Sequence, residues 1–197
     1  MRTLKIKGKM RKNDKYHSYK GTVGAVADNL LNRNFEAERP FEKLTTDVTQ
    51  FNVCGEKIYF SPVLDLYNRE IISYSISRSP NLEQIREMLA GLFEKLPSDA
   101  RPLFHSDQGW QYQHAEYQRL LKAHNITQSM SRKGNCMDNG AMENFFGRLK
   151  VEMFYGEKFE SVNAFIEKLK EYIEYYNNER IITKLKTSPV KYRTCHQ

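Results

Sequence analysis

The order of the hydrophobic patterns along the chain restricts its fold more than any other feature. Three segments rich in Val, Ile, Thr, Tyr and Phe follow one another with short turns between them, over residues 44–53, 57–66 and 71–77. Short connections predict that these three strands are antiparallel neighbours. From residue 79 onward the apolar residues recur at helical spacing instead. This change of period predicts a domain that combines strands and helices.

The second half of the chain alternates helices and strands. Apolar spacing predicts a helix over 82–96, a strand over 102–106, a helix around 117–124 and a strand over 126–130. Two more helices are predicted over 138–153 and 161–178. Together these elements predict an α/β fold with a mixed five-stranded sheet flanked by helices. The ribonuclease-H-like arrangement fits this order, and other α/β orders fit it too.

Positive charge is concentrated at the N-terminus. The net charge of the 197-residue chain is +7, and residues 1–20 hold eight Lys and Arg against one acid, Asp14. We therefore predict a basic arm over 1–40 with one short helix over 23–31, a core over 41–160, and a C-terminal helix and tail over 161–197. Such an arm either attracts a nucleic acid or is a solvated tail, and composition leaves both open.

Two classes of segment are missing from the sequence. No apolar run approaches the ~18 residues of a membrane span, and the basic N-terminus lacks the apolar stretch of a signal peptide. These features predict a cytoplasmic protein.

Three acidic residues occupy positions where a carboxylate can carry chemistry. Asp47 lies within a β-branched run, where Asp is disfavoured and a buried carboxylate needs a partner or a cation. Asp107 ends a predicted strand, at the sheet edge where α/β proteins usually bind ligands. Glu143 shares one stripe of a predicted helix with Asn139 and Lys150. Each has a simpler interpretation, namely a solvated strand residue, an Asp-x-Gly turn and a solvated helix flank.

Convergence of the three carboxylates would require cations. Like charges 4 Å apart repel by about 4 kcal/mol at an effective dielectric near 20. Oxygen ligands favour magnesium, with manganese as a substitute, and two such ions can hold the attacking and leaving oxygens of a phosphoryl transfer. The sequence alone leaves the convergence itself undecided.

Several short motifs, in order and at fixed distances, resemble the DDE transposases of the IS3 family of bacterial insertion sequences. They are LLNRNF (30–35), TTDVTQF (45–51), VLDLYNREI (63–71), HSDQGWQY (105–112), SRKGNCMDNGAMENFFGRLKVE (131–152), YNNER (176–180) and SPVKYR (188–193). The 35 residues between Asp107 and Glu143 equal the spacing of the family's D-D-35-E signature. The resemblance covers residues from about 29 to 192 and implies a ribonuclease-H-like, retroviral-integrase-type fold.

The resemblance also implies site residues. It assigns metal-binding catalytic roles to Asp47, Asp107 and Glu143, and a DNA contact near the scissile phosphate to Lys150. Further DNA-contact candidates lie in the same motif. They are Arg132 and Lys133 in the loop before the helix, and Asn139 and Arg148 on it.

The function implied is metal-dependent cleavage of double-stranded DNA at the ends of an insertion sequence, followed by strand transfer, by a homo-oligomer associated with the bacterial nucleoid. A non-catalytic DNA-binding remnant and a ribonuclease-H-type nuclease are the alternatives. Leu44 stands where the family usually has Trp, which implies a packing change. The family's upstream helix-turn-helix region has no counterpart ahead of the arm, so we expect a truncated copy with little preference for a terminal repeat.

Overall fold

A computed structural model of the chain describes residues 24–195, except for the side chain of Cys136. Residues 1–23 of the predicted basic arm lie outside the described residues. The short helix predicted over 23–31 is wrong for the part that is described, because residues 24–31 contain no helix. This segment instead lies along the sheet edge, where the backbone N–H groups of Leu30 and Leu31 donate to the Ser129 hydroxyl. Leu31 is buried in the core.

The first part of the sheet is an antiparallel meander, as predicted. Its strands are β1 (Lys43–Thr46), β2 (Thr49–Val53), β3 (Glu56–Asp65) and β4 (Ile71–Ser77). Both β1 and β2 pair with β3, and the pairs Thr46–Val63 and Thr49–Phe60 keep one register across the gap between them. The predicted strand over 44–53 is therefore one line of chain interrupted at residues 47–48. By the same register Asp47 faces Pro62, which has no N–H to donate to a ladder.

The second part of the sheet is parallel. Strand β5 (Leu103–Ser106) pairs in parallel with β1, and β6 (Thr127–Met130) pairs in parallel with β5. The spatial order is β4, β3, the line of β1 and β2, β5 and β6. The sheet is therefore mixed, and it has six strands only because the first predicted strand is divided.

Helices cover both faces of the sheet. They are α1 (Leu82–Lys95), α2 (Trp110–Gln113), α3 (Ala115–Ala123), α4 (Gly140–Leu149), α5 (Val162–Asn178) and α6 (Pro189–Cys195). Side chains of α1 and α3 form one apolar cluster with Leu44, Val63 and Phe104 of the sheet. Side chains of α4 and α5 form the other, with Phe51 and Phe60. Two cores on opposite faces make a three-layer α/β domain.

The helix predicted over 138–153 is not uniform. A 3₁₀ turn (Cys136–Asn139) precedes α4, and a π-helical turn (Lys150–Phe154) follows it. Helix α5 agrees with its prediction, and the Ser161 hydroxyl caps it by accepting from the Ala164 N–H. Helices α2 and α6 were not predicted, because each has at most seven residues and carries little periodicity.

Candidate active site

Asp47 lies at the interruption between β1 and β2. Its side chain is half-buried, and its carboxylate accepts a hydrogen bond from the N–H of Val48 at 2.7 Å. The sequence predicted a central strand here, and β1 is indeed central, flanked by β3 and β5. The carboxylate therefore stands at the end of a short buried strand.

Asp107 follows the parallel neighbour of that strand. Thr45 of β1 pairs with His105 of the parallel strand β5. Asp47 and Asp107 each come two residues after these partners, so they leave the sheet side by side. The Asp107 carboxylate accepts from the N–H of Gly109 at 2.8 Å. Asp107 thus forms the predicted Asp-x-Gly turn and also follows the carboxyl end of β5, so the two interpretations of the sequence are compatible.

The pKa of Asp47 reports which charges surround it. Burial raises this pKa well above its ordinary value, and the charge of Asp107 raises it further. The Val48 N–H bond opposes these effects, Glu143 again raises the pKa, and Lys150 lowers it. Two acids and one cation from distant parts of the chain therefore act on the same carboxylate.

Asn139 holds the start of the Glu143 helix against the strand that ends at Asp47. Its amide nitrogen donates to the Thr46 carbonyl at 3.0 Å, and its amide oxygen accepts from the Thr45 hydroxyl. The side chain is 4% exposed. This burial leaves almost no surface for the DNA contact suggested by sequence, and the residue instead positions α4.

Asp138 organises the loop that precedes α4. It is fully buried, and its carboxylate accepts from the backbone N–H and the guanidinium of Arg132, from Arg33, and from the Asn29 amide. The Arg132 guanidinium holds the pKa of this carboxyl well below its usual range, against the effect of burial. Arg132, a predicted DNA contact, is thus committed to an ion pair within the protein. Sequence reasoning missed Asp138, because two of its carboxylate's partners, Asn29 and Arg33, lie more than a hundred residues away in the chain.

The remaining predicted DNA contacts are dispersed. Lys133 is exposed beside the turn at Gly134. The Lys150 ammonium lies 5.7 Å from the centre of the Phe51 ring, and its charge lowers the pKa of Asp47. Arg148 is exposed, but at 100° per residue it points about 140° away from Glu143 around the helix. Its positive charge lowers the pKa of Tyr176 and of Glu152 instead, so it lies away from the aspartates.

The carboxylate oxygens of this site suit a hard cation, but the side chains are not arranged as a complete metal site. No three His, Cys, Asp or Glu side chains in the described part of the chain are close enough to hold a metal ion. Asp47 and Asp107 follow adjacent parallel strands, and the charge of Asp107 raises the pKa of Asp47. Their repulsion and their oxygen-only chemistry fit magnesium or manganese.

Two family models match the chain. Both describe an integrase core domain, and they match residues 37–136 and 143–196. An uncharacterized transposase-like protein of Haemophilus influenzae is 54% identical over 98% of this chain and 89% of its own length. The chain belongs to the integrase core family of IS3-type transposases. The putative transposase InsK for the insertion element IS150 of Escherichia coli is 51% identical over 98% of this chain and 68% of its own length. The transposase InsF for IS3A, also from E. coli, is 35% identical over 83% of this chain and 57% of its own length.

Solved structures agree on the fold of this transposase. The intasome of simian T-cell lymphotropic virus, determined with a PP2A regulatory subunit, contains a chain with a TM-score of 0.66 at 18% identity, covering 95% of this chain and 62% of that one. The catalytic core of BIV integrase gives 0.61 at 16% identity, covering 78% and 94%. The expected ribonuclease-H-like, retroviral-integrase-type fold is therefore confirmed. Among the described residues no helix has the length and apolar character to cross a membrane.

Proposed function

We propose that this transposase cuts DNA at the ends of its insertion sequence and joins the freed 3′-hydroxyl to a target phosphodiester, in a metal-dependent reaction. One observation carries the proposal. Asp47 and Asp107 leave two adjacent parallel strands side by side. The charge of Glu143 raises the pKa of Asp47, and the charge of Lys150 lowers it.

The three acids and the lysine have distinct roles in this proposal. Asp47, Asp107 and Glu143 bind magnesium, two ions in all, with manganese as a substitute. When bound, the metal activates the nucleophile and stabilises charge on the transferred phosphoryl group. Val48 N–H and Gly109 N–H each hold one oxygen of an aspartate and so set its direction. Lys150 binds a phosphate of the DNA close to Asp47, and the exposed Lys133 binds one further along.

The substrate proposed is double-stranded DNA, both the element ends and the target. Joining two ends to one target requires that two active sites be held together, so we propose a homo-oligomer on DNA. An intasome among the proteins of the same fold supports this proposal. The DNA of a bacterial insertion sequence would place the protein in the cytoplasm, with the nucleoid.

The test replaces each acid by its isosteric amide. We expect Asp47→Asn, Asp107→Asn and Glu143→Gln each to lower magnesium-dependent cleavage by at least ~10³-fold, with DNA affinity within a few-fold of the wild type. Asp99→Asn and Glu94→Gln make the same changes at exposed positions and serve as controls. A variant that keeps full cleavage removes its residue from the site.

The same assay separates the two alternatives. Cleavage without joining, when the product is supplied with target DNA, supports a nuclease. DNA binding without cleavage by the wild-type protein, at any magnesium or manganese concentration, supports a non-catalytic remnant.

A further inference from the structure

A small pocket opens beside the two aspartates and has no role in the function proposed above. Its volume is about 230 Å³. One wall includes Val48, whose N–H donates to the Asp47 carboxylate, and another includes Trp110 and Gln111, which follow Asp107 in the chain. Asn81 and Gln84, at the start of α1, line the far side. The pocket therefore adjoins the site where the scissile phosphate would bind.

The surroundings of Gly109 show that the pocket lies close to the aspartates. A Cβ added to this glycine would lie 2.6 Å from the Gln111 amide nitrogen and 2.9 Å from an oxygen of Asp107. The pocket amide and the active-site carboxylate thus both reach the surface of one glycine. A ligand group within the pocket would be joined to a phosphate at the aspartates by a short link.

The pocket lining selects a neutral, flat ligand. The nine described residues that line it carry no formal charge, and they include an indole, a phenol and four carboxamides. Such a lining offers no cation to a phosphate, but an aromatic face and amide edges to a heterocycle. The volume is below the ~300–1,000 Å³ of pockets for drug-sized ligands, so a single ring system suits it.

Only part of this polar lining is available to a ligand. The Gln84 amide donates to the Tyr59 carbonyl, the Asn81 oxygen caps α1, and the Gln50 amide donates to Asn52. Within residues 24–195, no hydrogen bond engages the indole N–H of Trp110 or the amide of Gln111. These two side chains are half-buried and lie next to each other at the start of α2.

We propose that the pocket binds one nucleobase, turned out of the DNA stack beside the scissile phosphate, with its ring against Trp110 and its edge bonded to Gln111. This inference rests on the proposed function, because it needs DNA at the aspartates. Stacking on an aromatic side chain offsets the cost of unstacking a base, and an amide that both donates and accepts can read its edge. The base comes either from the element end or from the target DNA.

Trp110 provides the measurement, because the chain contains a single Trp. Its fluorescence is recorded while the full chain is titrated, without metal, with duplexes of the flanking inverted repeat and separately with target duplexes. We expect quenching by the intact DNA. An abasic site is then placed at each position near the cleavage or joining point, and at one position of one duplex the quenching should disappear. Quenching that persists at every position of both duplexes would overturn the proposal.

Two variants complete the test. Trp110→Ala should weaken binding of the intact duplex roughly ten-fold and leave binding of the abasic duplex equal to that of the wild type, whereas Trp110→Phe should retain most of the affinity. An equal loss on both duplexes would overturn the pocket proposal, since it would indicate a general defect. Magnesium-dependent cleavage is measured on the same preparations. Cleavage without any position-specific quenching leaves the transposase chemistry standing and removes the base pocket alone.

Discussion

The absence of a side chain at Gly109 leaves room for the Asp107 carboxylate. The backbone φ of −56° is ordinary for any residue, so conformational freedom does not explain the glycine. The explanation is space, because an added Cβ would lie 2.9 Å from the Asp107 carboxylate, closer than real Cβ contacts come. The flexible Gln111 amide can move away, but the carboxylate is held by the Gly109 N–H itself.

We therefore expect Gly109→Ala to lower metal-dependent cleavage by about 10- to 100-fold, since a displacement of ~1 Å can cost this much. The free energy of unfolding should change by less than ~1 kcal/mol. Gly140→Ala is the matched control, because there the nearest atoms to an added Cβ are 3.9 Å away on Phe35. Cleavage rates and urea denaturation check both variants. Equal activity of the two would show that Asp107 tolerates the crowding.

At the scale of elements, Asp138 joins three segments that are distant in sequence. The chain around Asn29 and Arg33, the loop at Arg132 and the start of α4 meet at one buried carboxylate. A buried charge is stable only when paired and hydrogen-bonded, and here both conditions hold. The N-terminal segment is thereby docked beside the helix that carries Glu143.

Asp138→Asn should destabilise the protein by roughly 2–4 kcal/mol, because an amide N–H₂ would meet the donors of Arg132 and Asn29. Asp28→Asn makes the same change at an exposed position of the same segment, and we expect less than ~0.5 kcal/mol there. Urea denaturation at neutral pH measures both. A loss below ~1 kcal/mol for Asp138→Asn would mean that the docking depends on Leu31 burial rather than on this carboxylate.

At the scale of the whole molecule, two buried groups have opposite effects on pH stability. Asp65 is fully buried and accepts from the N–H groups of Phe41 and Tyr67, and burial raises its pKa to about 6. His105 lies between the hydroxyls of Ser129 and Ser131, and burial lowers its pKa to about 4. Their titration windows nearly coincide.

The signs follow from which state binds the proton. Between pH 4 and 6 the folded state holds a proton on Asp65 that the unfolded state releases, so this carboxyl makes the protein less stable as the pH rises. Between pH 4 and 6.5 the unfolded state binds a proton on His105 that the folded state excludes, so this imidazole makes the protein more stable as the pH rises. Each effect amounts to about 3 kcal/mol, and in the wild type they largely cancel.

Single substitutions should reveal the hidden slopes. As the pH is raised from 4 to 7, the unfolding free energy of Asp65→Asn should increase by about 3 kcal/mol relative to that of the wild type. The unfolding free energy of His105→Gln should decrease by a similar amount relative to that of the wild type. The double variant should again be nearly flat relative to the wild type. Urea denaturation across this pH range measures all three. Parallel curves for the wild type and both single variants would contradict the burial effects.

The sequence by itself determined the elements with a strong local period and the family. Residues 71–77 formed a strand with the predicted bounds, and the 161–178 pattern formed α5, because a buried face imposes a period of two or 3.6 on the residues that line it. The antiparallel meander followed from short turns. The motifs identified the integrase core, whereas the partnership of Asp107 and Glu143 across their 35-residue spacing stays a prediction.

Only the tertiary structure decided where the acids lie and what holds them. The break at Asp47 depends on Pro62 in a different strand, and the burial of Asn139 depends on the carbonyl and hydroxyl of β1. The segment over 24–31 has helical spacing, yet its N–H groups bond to Ser129, about a hundred residues away. A local pattern records which side chains face a core. It does not record which distant polar group satisfies a backbone N–H or a buried carboxylate, and at this site those long-range partners set the geometry.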